Sequence, residues 1–456
     1  MEATALIDRN RLTDLLERER ATFKDRNPRS LAAYTGARHL FGRVPMTWMN
    51  KAAGGFPIYA AKASGARVED IDGHTLIDFC LGDTGAMAGH SPKPMVDAVT
   101  DQIAGRGGVT TMMPTADADW VATELTRRFG LPLWSFSLTA TDANRWAIRL
   151  ARAITGRPKI LFNSYCYHGT VDESLIVVGP DGHAMSREGN VGAPSDVTTT
   201  SRVAEYNDLD GLERELANGD VAAMLMEPAL TNMGIVLPHE GYLAGVRTLT
   251  AKYGTLLIND ETHTFSAGPG GATRAWGLAP DMLTIGKAIA GGIPVGAYGM
   301  SAELADHLAN RADLDMVDVG GVGGTLAGNP VSIAAARATL EHVLTDKAFE
   351  KMIALSTRFT AGVQQVIDTH ELPWSVSQLG ARTEYRFTSP APANGTESHA
   401  ATDGQLEDYL HVYLANREIL MTPFHNMALM SPATTTEDVD RHHEVFSAAV
   451  AELAGA

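Results

Sequence analysis

Apolar residues recur at helical spacing near the start of the chain. Leu12, Leu15, Leu16 and Phe23 stand among charges over residues 8–24, which predicts an amphipathic helix. A connection containing glycine and proline follows to about residue 57. Over residues 65–81 the period changes. Two alternating runs, Val68-Glu69-Asp70-Ile71 and Thr75-Leu76-Ile77-Asp78, flank a turn at Gly73 and predict a β-hairpin. Between about residues 110 and 330, short apolar runs (159–162, 222–226, 255–258 and 282–285) alternate with helical stretches such as 143–155 and 241–253. This is the order of an α/β fold with a mainly parallel sheet, because parallel strands are covered on both faces and need helical crossovers. After about residue 335 the pattern predicts a long helix, a strand near 383–387, a polar stretch at 388–404 and a closing helix from Thr436, consistent with a smaller C-terminal domain.

Composition narrows the partners. A chain of 456 residues outgrows a single hydrophobic core, so at least two domains are expected. Its formal charge of −17 argues against nucleic acid or an anionic membrane surface as partner, since both require a large basic face. Cys80 and Cys166 are far apart and in no metal-ligand spacing, so neither a disulfide framework nor a metal site is expected. The N-terminal 20 residues lack the apolar core of a signal peptide, and no run approaches a membrane span, so a cytoplasmic protein is expected.

In an open parallel sheet, ligands bind beyond the carboxyl ends of the strands, which singles out the polar residues after each apolar run. Asp260 and Glu261 follow the run at 256–259 directly. An Asp-Glu pair there also serves as an ordinary cap or loop feature. Lys287 follows the run at 282–286 and leads into Ala288-Ile289-Ala290-Gly291-Gly292-Ile293-Pro294, where small residues leave room for a flat ring. An amine at a strand end in an apolar setting acts as a nucleophile toward an aldehyde. Together the two positions point to a cofactor that needs a Schiff-base lysine and an acidic partner for a ring nitrogen.

The motifs Asp260-Glu261-Thr262-His263-Thr264 and Ile285-Gly286-Lys287-Ala288-Ile289-Ala290-Gly291-Gly292 resemble the acidic and lysine motifs of the class III aminotransferases. The resemblance extends over most of the chain. Residues 65–81 are similar to the family's early hairpin, Gly89-His90-Ser91-Pro92 to the turn after it, Met226-Glu227-Pro228 to a strand-end glutamate-proline, and Gly324-Thr325-Leu326-Ala327-Gly328-Asn329-Pro330 to a late phosphate loop. The resemblance implies a fold type I enzyme using pyridoxal 5′-phosphate. Its large domain carries a mainly parallel seven-stranded sheet, and both termini build a small α+β domain. The corresponding division is residues 1–65, a large cofactor-binding domain at 66–330, and 331–456.

Roles carried over by the resemblance follow. Lys287 holds the cofactor and moves protons as acid and base, and Asp260 keeps the pyridine nitrogen protonated. Tyr167 stacks on one ring face, and Thr262 stands where an apolar residue packs on the other. Thr139, Ala140 and Thr141 correspond to a serine-glycine-threonine phosphate turn before a helix N-terminus, with a methyl added at the centre. Glu227 belongs with the cofactor contacts. Thr325 corresponds to a threonine that reaches the phosphate of a neighbouring subunit, which implies a homodimer with a shared active site.

The substrate reading rests on departures from the family. A carboxylate-binding arginine of aminomutases and some β-amino-acid transaminases aligns with Trp48, and a mobile arginine of many ω-amino-acid transaminases aligns within 419–425, where this chain has Thr422 or Phe424. Losing both bidentate partners weakens carboxylate binding. The expectation is a ping-pong transaminase with an amine donor and a carbonyl acceptor, preferring a hydrophobic or aromatic group held by Trp48 and Phe424. Arg43 and His425 complete the candidate pocket, and Arg382 and Arg386 share a strand face with Glu384 in a structural cluster. The alternatives are an aminomutase of the glutamate-1-semialdehyde type, which the missing arginines disfavour, or a β-amino-acid transaminase. A non-catalytic binding protein would have no need of Asp260 and Lys287 together.

Overall fold

The computed structural model describes residues 7–193, 196–317 and 319–455, so residues 1–6 of the predicted N-terminal segment lie outside it. The chain divides into two units, one made of Lys93–Phe349 with Ala393–Ala400, the other of Met1–Pro92, Glu350–Pro392 and Ala401–Ala456.

The first unit is built on a seven-stranded sheet. Its strands, in chain order, are β1 (Leu133–Ser137), β2 (Lys159–Asn163), β3 (Ser201–Ala204), β4 (Val221–Met226), β5 (Leu256–Asp260), β6 (Met282–Ile285) and β7 (Gly296–Met300). They lie in the order β1-β7-β6-β5-β4-β2-β3. All neighbours are parallel except β7, which is antiparallel to both β6 and β1. Every residue of β4 is buried, the pattern of a central strand covered on both faces. Burial of side chains such as Met224 and Leu225 stabilises the fold by roughly 1.5–3 kcal/mol each. The helix Ala140–Thr155 turns Ala143, Ala147, Ile148, Leu150 and Ala151 into this core, and left-handed Gly156 ends it. On the adjacent parallel strands β5 and β6, Asp260 is in register with Thr284, so the candidate acid and the segment leading to Lys287 emerge at the same edge of the sheet.

The expected long helix is two, Pro330–His342 and Asp346–Thr369. The break has a local cause. The N–H groups of Val343 and Leu344 both turn back to Thr339 O, and the buried Arg128 guanidinium donates to the carbonyls of Leu340 and Leu344. Those carbonyls are thus satisfied outside a continuing helix.

In the second unit the predicted hairpin forms, with Arg67–Asp70 antiparallel to Thr75–Asp78 and Asp70 Oδ1 accepting from the Gly73 and His74 amides of the turn. Ile419–Leu420 adds to it in parallel, joining a C-terminal strand to an N-terminal sheet. The helix Arg9–Arg26 buries Leu12, Leu15, Leu16 and Phe23 as the spacing predicts. The connection after it contains a further helix, Pro28–Gly36, because Pro28 at its first position has a preset φ and lacks only an N–H that would have no helical partner. Among the described residues no helix is long and apolar enough to cross a membrane.

Candidate active site

Lys287 opens a short turn of 3-10 helix after β6, with φ +47°, a left-handed conformation that non-glycine residues rarely adopt. Such strain persists where the surrounding structure dictates it, and it clusters at functional positions. Lys287 Nζ lies 2.8 Å from His263 Nε2, on the turn after β5. The preceding Gly286 leaves no room for a side chain. A Cβ there would approach the Ala140 Cβ and amide nitrogen to 3.0 Å, so the methyl that Ala140 carries is accommodated opposite a residue with none.

Asp260 closes β5 and is buried. Its Oδ2 accepts from Asn144 Nδ2 at 2.8 Å and pairs with His168 Nδ1 at 2.9 Å, while Oδ1 accepts from the Thr262 amide at 3.0 Å. Asn144 is itself oriented by Thr284 Oγ1, which donates to Asn144 Oδ1 at 2.6 Å. Burial opposes the carboxylate, but His168, Thr262 and Asn144 outweigh it and hold Asp260 below the usual carboxylate range. At His168 burial opposes the imidazolium, the Cys166 sulfur and Asp260 favour it, and the net direction is upward. Asp260 is therefore held ionised at the carboxyl end of β5, its charge balanced by the imidazolium that His168 favours.

Glu261, the next residue, has a structural role. Its carboxylate accepts from Thr264 Oγ1 and from the Ala272 and Thr273 amides, which pins the following turn to the helix Gly271–Ala275. Burial pushes its pKa up. Glu227 sits beyond β4, accepting from the Tyr167 amide at 3.1 Å and from the Thr231 amide and hydroxyl. It is buried, and burial raises its pKa. Tyr167 is 40% exposed.

Thr139 is the N-cap of Ala140–Thr155, its hydroxyl accepting from the Asp142 amide at 3.1 Å and donating to the Asp142 carboxylate at 2.9 Å. The Tyr167–Thr170 segment packs onto this turn, with the Thr170 amide donating to Thr141 Oγ1 at 3.2 Å. Gly169 makes that approach possible. Its φ is +74°, and a Cβ there would lie 2.0 Å from Thr141 Oγ1.

One unit thus brings together Lys287, Asp260, Thr262, Thr139, Ala140, Thr141, Tyr167 and Glu227. Thr325 belongs to the same unit and is exposed. The substrate-pocket residues belong to the other. There Trp48 meets Phe424 edge-on at 5.8 Å, and Lys51 Nζ stands 5.6 Å over the Phe424 ring. Arg43 lies over the Tyr34 ring, and His425 pairs with Glu384 at 3.2 Å. Arg382 donates to Thr84, and Arg386 to Thr402. Trp48, Met49, Met421, Pro423 and His411 line a largely apolar cavity of about 330 Å³ in this unit. Sequence reasoning passed over His263, His168 and Asn144 as functional residues, although each stands within or beside a quoted motif. Their partners lie 24, 92 and 116 residues away, a distance that no local pattern spans.

The residues present fit pyridoxal 5′-phosphate. They offer a buried, ionised carboxylate for a ring nitrogen, an amine at the same sheet edge, and a helix N-terminus with two hydroxyls around a glycine-lined turn for the phosphate.

Comparison with known proteins agrees. The family described as aminotransferase class-III matches residues 48–450. A glutamate-1-semialdehyde 2,1-aminomutase of Desulfitobacterium hafniense (strain Y51) is 34% identical over 395 residues, which cover 86% of this chain and 90% of that protein. The crystal structure of a glutamate-1-semialdehyde-aminomutase from Pseudomonas aeruginosa PAO1 in complex with PMP is similar with a TM-score of 0.95 and 45% identity, covering 98% of this chain and 99% of that one. An omega-transaminase from Sphaerobacter thermophilus follows at a TM-score of 0.83 and 29% identity, over 93% and 97% of the two chains.

Proposed function

Because this chain belongs to the class III aminotransferases and uses pyridoxal 5′-phosphate, we propose that it moves an amino group within one small substrate, as an aminomutase of the glutamate-1-semialdehyde type. The observation that carries this choice is the similarity to aminomutases at up to 45% identity over nearly the whole chain. It reverses the preference drawn from Trp48 and Phe424, where two missing arginines favoured a two-substrate transaminase.

When bound, the cofactor supplies an aldehyde for amines and a protonated pyridine ring that accepts electrons from a substrate carbon. The residues would serve it as follows. Asp260, kept ionised by His168 and Asn144, would hold the proton on the ring nitrogen. Lys287 Nζ would supply the amine that holds the cofactor and would carry protons to and from substrate carbon. Thr139, Ala140 and Thr141 bind phosphate at the helix N-terminus, Tyr167 and Thr262 flank the ring, and Glu227 holds the Tyr167 backbone in place. Thr325 reaches the phosphate of the partner subunit in a homodimer.

The transaminase reading keeps one specific support, the aromatic pair Trp48 and Phe424 at positions where a guanidinium would hold a carboxylate. Glutamate-1-semialdehyde offered alone separates the two. Conversion to the isomer with the amino group on the adjacent carbon, without release of a deaminated dicarbonyl product, supports the aminomutase. Turnover only when an amine donor and a separate carbonyl acceptor are both present overturns it.

A further inference from the structure

Lysine has three donors and no acceptor while protonated, and it becomes a nucleophile only after losing a proton. In this chain the side chain 2.8 Å from Lys287 Nζ is an imidazole, His263 Nε2. We propose that His263 is a second catalytic acid–base residue, which takes the proton that Lys287 Nζ must lose and returns it. The proposal rests on Lys287 being the cofactor lysine.

Three observations carry it. The contact is within hydrogen-bond distance of the reacting atom itself. His263 is half-buried, so it stays accessible to protons without being locked in the core. Its neighbours on the same strand end are committed elsewhere, Asp260 to His168 and Asn144, and Glu261 to Thr264, Ala272 and Thr273. Glu261 fixes the turn that presents the imidazole, because Thr264 and the helix Gly271–Ala275 both hang on its carboxylate.

The step is a proton transfer and balances as such. With its ring proton on Nδ1, His263 accepts at Nε2 from the lysine ammonium. Transfer leaves a neutral amine, whose lone pair can bond to an aldehyde carbon, beside an imidazolium. The reverse transfer reprotonates the amine when the lysine is released. No other bond changes at His263, and no electron leaves the pair.

The test uses the full-length protein freed of cofactor. Pyridoxal 5′-phosphate is added, and formation of the borohydride-trappable lysine link is timed by absorbance. Wild type is compared with His263→Asn, which can hydrogen-bond but not carry a proton, with His263→Ala, and with Lys287→Ala. General acid–base assistance contributes on the order of 100-fold or more, so both His263 variants should capture cofactor at least about 10-fold more slowly. Added imidazole should restore a substantial part of the rate to His263→Ala. Capture by His263→Asn at the wild-type rate overturns the proposal, as does a slow His263→Ala that imidazole leaves unchanged, since a merely structural histidine gives that result. Borohydride-stable cofactor in Lys287→Ala would instead remove the lysine assignment beneath it, a separate outcome. Should either His263 variant misfold by circular dichroism, the other decides.

Discussion

At the scale of single residues, the site depends on charges that the fold keeps where water would otherwise level them. Asp260 is buried and still ionised, because His168 and Asn144 both bind Oδ2 and the Thr262 amide binds Oδ1. Replacing Asp260 with Asn should leave the fold intact but lower kcat by about 100-fold or more, since an amide cannot hold a ring proton. Steady-state kinetics together with a melting curve check this, and near-normal turnover would assign the proton to another acid. Lys287→Ala should bind the cofactor weakly, show no visible band from a lysine-linked cofactor and have no turnover. Absorbance of the purified variant after borohydride treatment is the direct measurement. The strand-end positions of Lys287 and Asp260 were legible because each closes or follows an apolar strand run. Their partners were not, because hydrogen bonding between strand ends is a property of the sheet order.

Among elements, the helix Ala140–Thr155 is the piece whose start has two duties. Thr139 caps it, so Thr139→Ala should cost about 1 kcal/mol of stability, read as a lower denaturation midpoint of the cofactor-free protein, with Thr139→Ser recovering most of it. The second duty depends on how closely the Tyr167–Thr170 segment lies on that start. Gly169→Ala puts a methyl within 2.0 Å of Thr141 Oγ1 at a φ of +74°. The expected result is a weaker hold on the cofactor, at least 10-fold in Kd, because a displacement of this turn misplaces the phosphate donors. An unchanged Kd by equilibrium dialysis would show that the loop has slack. Element positions were largely legible. The four quoted apolar runs became β2, β4, β5 and β6, each within two residues of expectation. The undivided helix after residue 335 failed because Arg128, some 200 residues earlier, satisfies the carbonyls that end the first of the two helices.

For the whole molecule, acid stability should reside in the unit built from both termini. His411 is buried, and burial lowers its pKa to about 4. His442 lies among Phe359, Phe446 and Phe79, neither ring nitrogen has a hydrogen-bond partner among the described residues, and burial takes its pKa well below the usual value. Both are neutral in the fold. Below about pH 6.5 the unfolded chain binds protons there that the folded chain cannot, so stability is kept above that pH and lost as pH falls. For His411 the loss amounts to roughly 3 kcal/mol once the pH reaches about 4. Urea unfolding at pH 7 and near pH 4.5 measures it, and His442→Phe should flatten the dependence. A second prediction at this scale follows from Met112, Val317 and Val319, apolar side chains that are 84%, 97% and 79% exposed in the isolated chain. Apolar side chains this exposed suit a contact surface, and the proposed role of Thr325 requires one, so light scattering should report twice the chain mass, and a fully active monomer would contradict the proposed shared site.

The sequence alone determined the class of the fold and the placing of an acid and a lysine at neighbouring strand ends, because strand burial and the residue that ends each strand are local facts that an apolar run records. Only the tertiary structure decided which side chains tune them. His168 and Asn144 reach Asp260, and His263 reaches Lys287, because parallel strands distant in the chain end side by side, and the glycines at 169 and 286 matter through what packs against them. Choosing between an aminomutase and a transaminase needed more than local pattern as well. Trp48 and Phe424 form an aromatic pair through a contact nearly four hundred residues apart in the chain, and missing arginines say what a pocket lacks without saying what the folded protein supplies in their place.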